Sequence, residues 1–286
     1  MPLSSYDCVR RVEIMAKSLK NVVSILLLLF LAPIIIATVQ TPLFPQQKEQ
    51  TATKEVTPKE ESTTAVVYAA QLETKTAAPE ILEPKKAFVY FTHSQEAYKP
   101  ILAAKGEKIA TYHSENNITS FQEQITAQFA VHQLETDILG PESTGDAKQY
   151  DSIRPFVQQA IGQKEYDIIL DIHRDSAKAN VTTLINGEER YAKFIFVIGR
   201  EHPNYKWNEQ LAQNLSDQLN KLVPGISRGI LPREGKGVDG VYNQDLSKIL
   251  LNVELGGIDN NEQELNRSIA VLAKAISNML NEDLPI

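Results

Sequence analysis

The sequence predicts an α/β domain over residues 87–286, and three observations carry that expectation. Short apolar runs that read as buried strands alternate with stretches whose apolar residues recur every three to four positions. Asn186-Gly187 lies between two strand-like runs and is a strong hairpin signal. No repeat of fixed period interrupts this alternation.

Ahead of that domain the chain reads as an anchor and a tether. Residues 1–21 carry Arg10, Arg11, Lys17 and Lys20, and residues 22–39 (VVSILLLLFLAPIIIATV) carry no charge. The uncharged run is just long enough to cross a hydrocarbon layer. The basic flank then sets the N-terminus in the cytoplasm and everything after Gln40 outside, with one membrane-spanning helix. Pro33 is tolerable in such a helix. The competing reading is a cleaved signal peptide, whose apolar stretch is normally about 7–15 residues with a small-x-small cleavage site; that site is poorly formed here. Residues 40–86 are rich in Thr, Glu, Lys, Gln and Pro, with Pro42, Pro45, Pro58, Pro79 and Pro84 breaking helices. Such a segment cannot bury enough apolar surface to fold alone and reads as a disordered tether. A short local helix is compatible with residues 66–72.

Within the domain, residues 87–91 (AFVYF) form the first expected strand and residues 108–112 a weaker second one. Ile118, Phe121, Ile125 and Phe129 make a helical stripe, as do Ile153, Phe156, Val157, Ala160 and Ile161. Residues 167–171 (DIILD) read as a central strand. Residues 181–185 and 190–198 form the arms of the hairpin. Trp207, Leu211, Leu215, Leu219 and Leu222 mark a third helix, and residues 249–255 (ILLNVEL) another buried strand. Leu265, Ile269, Leu272, Ile276 and Leu280 close the chain as an amphipathic helix.

Composition narrows the chemistry. Of 286 residues, 42% are apolar, enough for a core, and the net charge of −7 argues against an electrostatic grip on nucleic acid. Cys8, the single cysteine, precedes the apolar run, so a metal in the domain must be held by His, Asp or Glu.

Three expected strands end abruptly in polar clusters: Thr92-His93-Ser94-Gln95-Glu96, Asp171-Ile172-His173-Arg174-Asp175, and Glu254-Leu255-Gly256-Gly257. Ligands of open α/β sheets bind at the carboxyl ends of strands, and charges there are costly unless paired or metal-bound. His93 and Glu96 at a three-residue spacing, joined by His173 from a second strand, make the three-ligand set of a catalytic zinc site. The pair alone also reads as a helix start in which Ser94 caps and Glu96 meets the dipole. His173 alone also reads as an ion-paired surface residue between Asp171 and Asp175, either of which could instead orient its ring. Arg174 is a candidate clamp for a substrate carboxylate and equally a structural ion pair. Glu254 is a candidate general base, or simply a capped strand end. Gly256 and Gly257 permit a sharp turn or close backbone approach. His113 reads as an extra polar group near the site, His132 as a core histidine, and His202 as a loop residue. Residues 242–245 read as a polar turn.

In these stretches the sequence resembles the stage II sporulation protein P family of cell-wall hydrolases, which is related to zinc-dependent N-acetylmuramoyl-L-alanine amidases. The resemblance rests on THSQEAY (92–98), LDIHRD (170–175), RYAKFIFVIG (190–199), RGI (228–230), YNQDLS (242–247) and VELGG (253–257), in that order. It implies a mostly parallel sheet flanked by helices, zinc held by His93, Glu96 and His173, and Glu254 as catalytic acid/base. Arg228 and Asn243, inside two matched stretches, join Arg174 and Asp175 as substrate-binding candidates. The implied reaction is hydrolysis of the N-acetylmuramoyl-L-alanine amide of peptidoglycan, with peptide cross-links as a second target. Action during engulfment in sporulation, with stage II sporulation proteins D and M as partners, is also implied. Phe91 stands where relatives often carry a histidine, and Ser227 where they often carry a cysteine. The competing functions are a non-cutting domain that binds peptidoglycan or a partner, and a zinc carboxypeptidase that uses Arg174 on stem peptides.

Overall fold

A computed structural model describes residues 84–145 and 148–282. The expected anchor at residues 22–39, most of the tether and the local helix at residues 66–72 lie outside the described residues. Among the described residues, no helix is long and apolar enough to cross a membrane.

In chain order the elements are β1 (Lys85–Tyr90), α1 (Lys99–Ala104), α2 (Gln122–Val131), β2 (Leu134–Leu139), α3 (Tyr150–Gln163) and β3 (Ile168–Asp175), then β4 (Thr183–Asn186), β5 (Glu189–Ala192), β6 (Phe194–Gly199), α4 (Tyr205–Leu222), β7 (Ser227–Arg233), β8 (Leu250–Gly257) and α5 (Glu262–Asn281). Six strands form one sheet in the order β2-β1-β3-β8-β6-β7. Every neighbouring pair runs parallel except β6 against β8. The expected α/β fold with a mostly parallel sheet is therefore the observed one. β4 and β5 form the separate hairpin around Asn186-Gly187, with Gly187 at φ 63° as its turn requires.

The period-two alternation of the strands sorts the sheet into two unequal layers. Ala87, Val89, Leu170, Ile172, Phe194, Phe196, Leu251, Val253 and Leu255 face the larger core, which α2, α4 and α5 cover with Ile125, Phe129, Leu215, Leu219, Ile269 and Leu272. Phe88, Tyr90, Ile169 and Leu250 face the other way onto Ile153 and Val157 of α3. One helix cannot roof a six-stranded face, so the strand ends beyond its N-terminus stay open. α5 begins with a capping box in which the Asn261 side chain accepts from Glu264 N and the Glu264 side chain reaches back to Asn261 N.

Several expectations need correction. Residues 108–112 form no strand; only an isolated bridge pairs Tyr112 with Glu96. Ile109 is 59% exposed, so the segment has no apolar face to bury. The arm expected over residues 190–198 is two strands, because Lys193 breaks step: its N–H donates to Thr182 O while its carbonyl accepts from Gly256 N. β1 begins at Lys85, two residues before the expected start, tied down by Lys86 N donating to Asp167 Oδ2 at 2.7 Å. β3 and β8 run past their apolar cores into the polar clusters. His132 is not a core histidine; it is half-buried at the C-cap of α2. β2 and β7 were not anticipated as strands.

The lone helix on the thinner face gives a direct test. Ile153→Ala should cost about 2–5 kcal/mol in urea unfolding, because the buried site collapses only partly. Phe156→Ala on the same helix, 36% exposed, should stay within about 0.5 kcal/mol of the parent.

Candidate metal centre

The centre is built where β1 and β3 end side by side. Tyr90 pairs with Asp171, so the turn after β1 falls next to the tip of β3. There, Thr92 donates its backbone N–H to Asp171 Oδ1 at 2.9 Å and its hydroxyl to Oδ2 at 2.7 Å. The chain then turns once, with Glu96 N donating to His93 O, and presents His93 and Glu96. Asp171 and His173 are two residues apart on a strand and so share a face, the thinly covered one. Asn252 and Glu254 of β8 stand opposite them in register.

His93, Glu96 and His173 are the one group of three or more among the described residues whose donor atoms lie within 4.8 Å of one another. His93 Nδ1 is 3.6 Å from Glu96 Oε1, and His173 Nδ1 is 3.6 Å from Glu96 Oε2. The two imidazoles meet edge to face, centroids 4.9 Å apart. His173 Nε2 lies 3.0 Å from Asp171 Oδ2. In the neutral imidazole that contact keeps the proton on Nε2 and turns the Nδ1 lone pair toward Glu96 and His93, the arrangement in which a metal-ligating histidine is oriented from behind. Two imidazole nitrogens and a carboxylate make a donor set suited to a divalent cation. His93 has 38% of its side chain exposed and His173 only 3%, so a ligand enters from the His93 side.

The carboxylates around the two imidazoles favour positive charge at this point. Burial favours neutral Glu96, but the His173 and His93 contacts outweigh it and hold the carboxyl at about 2. Burial alone would pull His173 down, yet the Asp171 and Glu96 carboxylates raise it well above the usual imidazole range. The Glu254 carboxyl is pushed up to about 7, mainly by burial, with Glu96 and Asp175 adding and His173 opposing. Its Oε2 is buried and has no hydrogen-bond partner among the described residues. A carboxyl that is unsatisfied and poised near neutrality beside a cation site is suited to moving a proton.

The structure treats the remaining candidates differently. Arg174 faces away from His173: its guanidinium donates to Thr111 O and Asp175 O and lies over the Tyr112 ring, while its N–H donates to Glu96 Oε2 at 2.7 Å. Asp175 pairs with Arg228, which reaches it from β7. Asn243 is buried, its Oδ1 accepting from Arg154 Nη1 and its Nδ2 donating to Tyr150 O. Phe91 lies in the apolar core and takes no part. His113 closes its own loop, Nδ1 accepting from the Glu115 and Asn116 N–H groups. His202 is buried in the loop before α4, beside Gly199 and Gln244. The residue that sequence reasoning missed is Tyr150, whose ring touches both His93 and His173.

Glu254 offers a pH test. Its folded pKa is raised from 4.5 to about 7, so the stability tied to its proton is present below 4.5 and lost as pH rises through 7. With metal chelated, Glu254→Gln should therefore gain stability over the parent by roughly 2–3 kcal/mol between pH 5 and pH 8 in urea titrations. A pH-independent difference would mean the carboxyl is not destabilised by burial.

The chain is similar to several known proteins. The sequence model of the family described as stage II sporulation protein P matches residues 36–277. Stage II sporulation protein P of Bacillus subtilis (strain 168) is 34% identical over 206 residues, 69% of this chain and 51% of that protein, so this chain spans about half the length of that relative. Among solved structures, the CwlD amidase from Clostridioides difficile in complex with the GerS lipoprotein is 11% identical with a TM-score of 0.46, covering 70% of this chain and 100% of that one. The N-acetylmuramoyl-L-alanine amidase AmiC2 of Nostoc punctiforme is 12% identical with a TM-score of 0.40, over 69% and 95%. The family match covers most of this sequence, and the chain belongs to the stage II sporulation protein P family.

Proposed function

We propose that the chain is a zinc-dependent peptidoglycan hydrolase that cleaves the N-acetylmuramoyl-L-alanine amide, and also peptide cross-links, during sporulation. The observation that carries this reading is the convergence of His93, Glu96 and His173 with the unsatisfied Glu254 carboxyl one strand away. Family membership supports the substrate class and the setting. On the same ground we take stage II sporulation proteins D and M as partners. The uncharged run at residues 22–39 with its basic flank supports a single-pass anchor and a domain on the extracytoplasmic side.

His93 and His173 would hold zinc through their Nδ1 atoms and Glu96 through its carboxylate. When bound, zinc supplies Lewis-acid polarisation of a carbonyl and lowers the pKa of water to about 7. Asp171 holds the His173 ring in place throughout. Glu254, in its ionised form, accepts the water proton and returns it to the leaving nitrogen. Being close to neutral pH in affinity, it can do both without a large driving force either way. Asp175, at the carboxyl end of β3, and Arg228 keep each other fixed, and there they would meet the substrate backbone.

A carboxypeptidase needs a free cation for the terminal carboxylate. Arg174 is spent on two backbone carbonyls and the Tyr112 ring, which favours an internal amide instead. A non-cutting domain has no use for a complete donor set beside an unsatisfied carboxyl.

Mass spectrometry of purified sacculi after digestion tests the reading. Free L-alanine amines and free lactyl groups are expected, with Glu254→Gln slowing their release by about 10²–10⁴-fold while zinc content stays at the parent level. Shortened stems with intact lactyl amides would point to the carboxypeptidase, and undiminished release by Glu254→Gln would remove Glu254 from the reaction.

A further inference from the structure

We infer that Tyr150 is a positioning residue for the metal centre, pressed against both histidines by a strained turn at Tyr242 and Asn243. The inference rests on the metal reading of His93, Glu96 and His173 given above.

Tyr150 starts α3, the α-helix that packs on the thinner face of the sheet. Its ring lies nearly parallel to His173, at 6.0 Å and 28°, and edge-on to His93, at 5.4 Å and 72°. One side chain therefore bears on both imidazoles of the donor set. The hydroxyl oxygen accepts from Asn252 Nδ2 at 2.8 Å and stands 3.4 Å from His173 Nε2. His173 Nε2 thus faces two oxygens, Asp171 Oδ2 and Tyr150 Oη, and neither competes for Nδ1. The hydroxyl sits behind the ligand, on the side away from the metal, so its effect passes through His173.

The turn that seats Tyr150 is costly to form. Tyr242 and Asn243 are consecutive residues with φ of 54° and 56°, and Tyr242 is a bulky side chain in a region that such residues rarely adopt. Both are held there from several directions. Asp239 Oδ1 accepts from Val241 N and Tyr242 N, and Asn243 Oδ1 accepts from Arg154 Nη1. Arg154 also forks onto Asp245 at 2.8 and 2.6 Å. Two products of the turn land on Tyr150: Asn243 Nδ2 donates to its carbonyl at 2.9 Å, and the Tyr242 ring meets its ring edge-on at 5.2 Å. Strain kept at a site, with its output aimed at one residue, marks that residue as the purpose of the turn.

The test is zinc affinity of the purified full chain, measured by competition with a chromogenic chelator, alongside the melting temperature of the metal-free protein. Tyr150→Phe keeps the ring and removes the hydroxyl. It should bind zinc about tenfold more weakly, the loss typical when a group behind a histidine ligand is removed, with the metal-free melting temperature falling by no more than the few degrees that losing the Asn252 hydrogen bond costs. Asn243→Gly relaxes the left-handed backbone and removes both amide bonds, and it should weaken zinc at least as much. Parent-level zinc affinity in Tyr150→Phe would overturn the inference, as would a loss that only tracks a falling melting temperature. A parent chain that takes up no zinc would overturn the metal reading itself, and this inference with it.

Discussion

Asp171 is fully buried, and the site depends on how its charge is satisfied. An ionised carboxylate in the interior is tolerable only when paired and hydrogen-bonded. It takes a backbone N–H and a hydroxyl from Thr92 and faces Nε2 of His173. Those contacts pin the turn after β1 to the end of β3 and set the His173 ring. His93 and Glu96 lie within four residues of Thr92, so fixing Thr92 fixes the other two donors as well. Removing the carboxylate would therefore disturb the geometry of all three at once, although Asp171 itself holds none of the substrate.

The layers of the fold decide where that geometry is exposed. Three helices bury one face of the sheet, while α3, with Leu246 and Ile249, covers the other. Period two then directs Asp171, His173, Asn252 and Glu254 onto the thin side, just beyond the N-terminus of α3. The reversed direction of β6 and β7 contributes too. It brings the start of β7 to the carboxyl edge of β8, so Arg228 can reach Asp175. Had β7 run with β8, that arginine would lie at the far edge.

Much of this was legible in the sequence, for physical reasons that differ by element. β1, β3 and β8 are buried on both faces, and each announces itself as an apolar run, broken in β8 only by Asn252, that stops at a polar cluster. The clusters supplied His93, Glu96, His173 and Glu254 directly, and the structure brings them together. β2 and β7 lie at the sheet edges, where LETDIL and SRGILPR keep polar residues and give no clean run. Residues 108–112 misled because alternation without apolar partners resembles a strand only locally. Arg174 reads from sequence equally as a carboxylate clamp or a structural ion pair, and strand parity turns its side chain away from His173. Tyr150 left no local signal beyond preceding the stripe begun by Ile153, since its role depends on residues about ninety positions downstream.

Two imidazole Nδ1 atoms and the Glu96 carboxylate are placed so that they could share one cation. Anomalous diffraction at the zinc edge, from crystals of the chain grown with zinc, tests that most directly. The account predicts a single strong peak at about 2.0–2.2 Å from His93 Nδ1, His173 Nδ1 and a Glu96 oxygen, with Glu254 outside bonding distance. A zinc peak elsewhere, or one bound by Nε2 of His173 after its separation from Asp171, would contradict it.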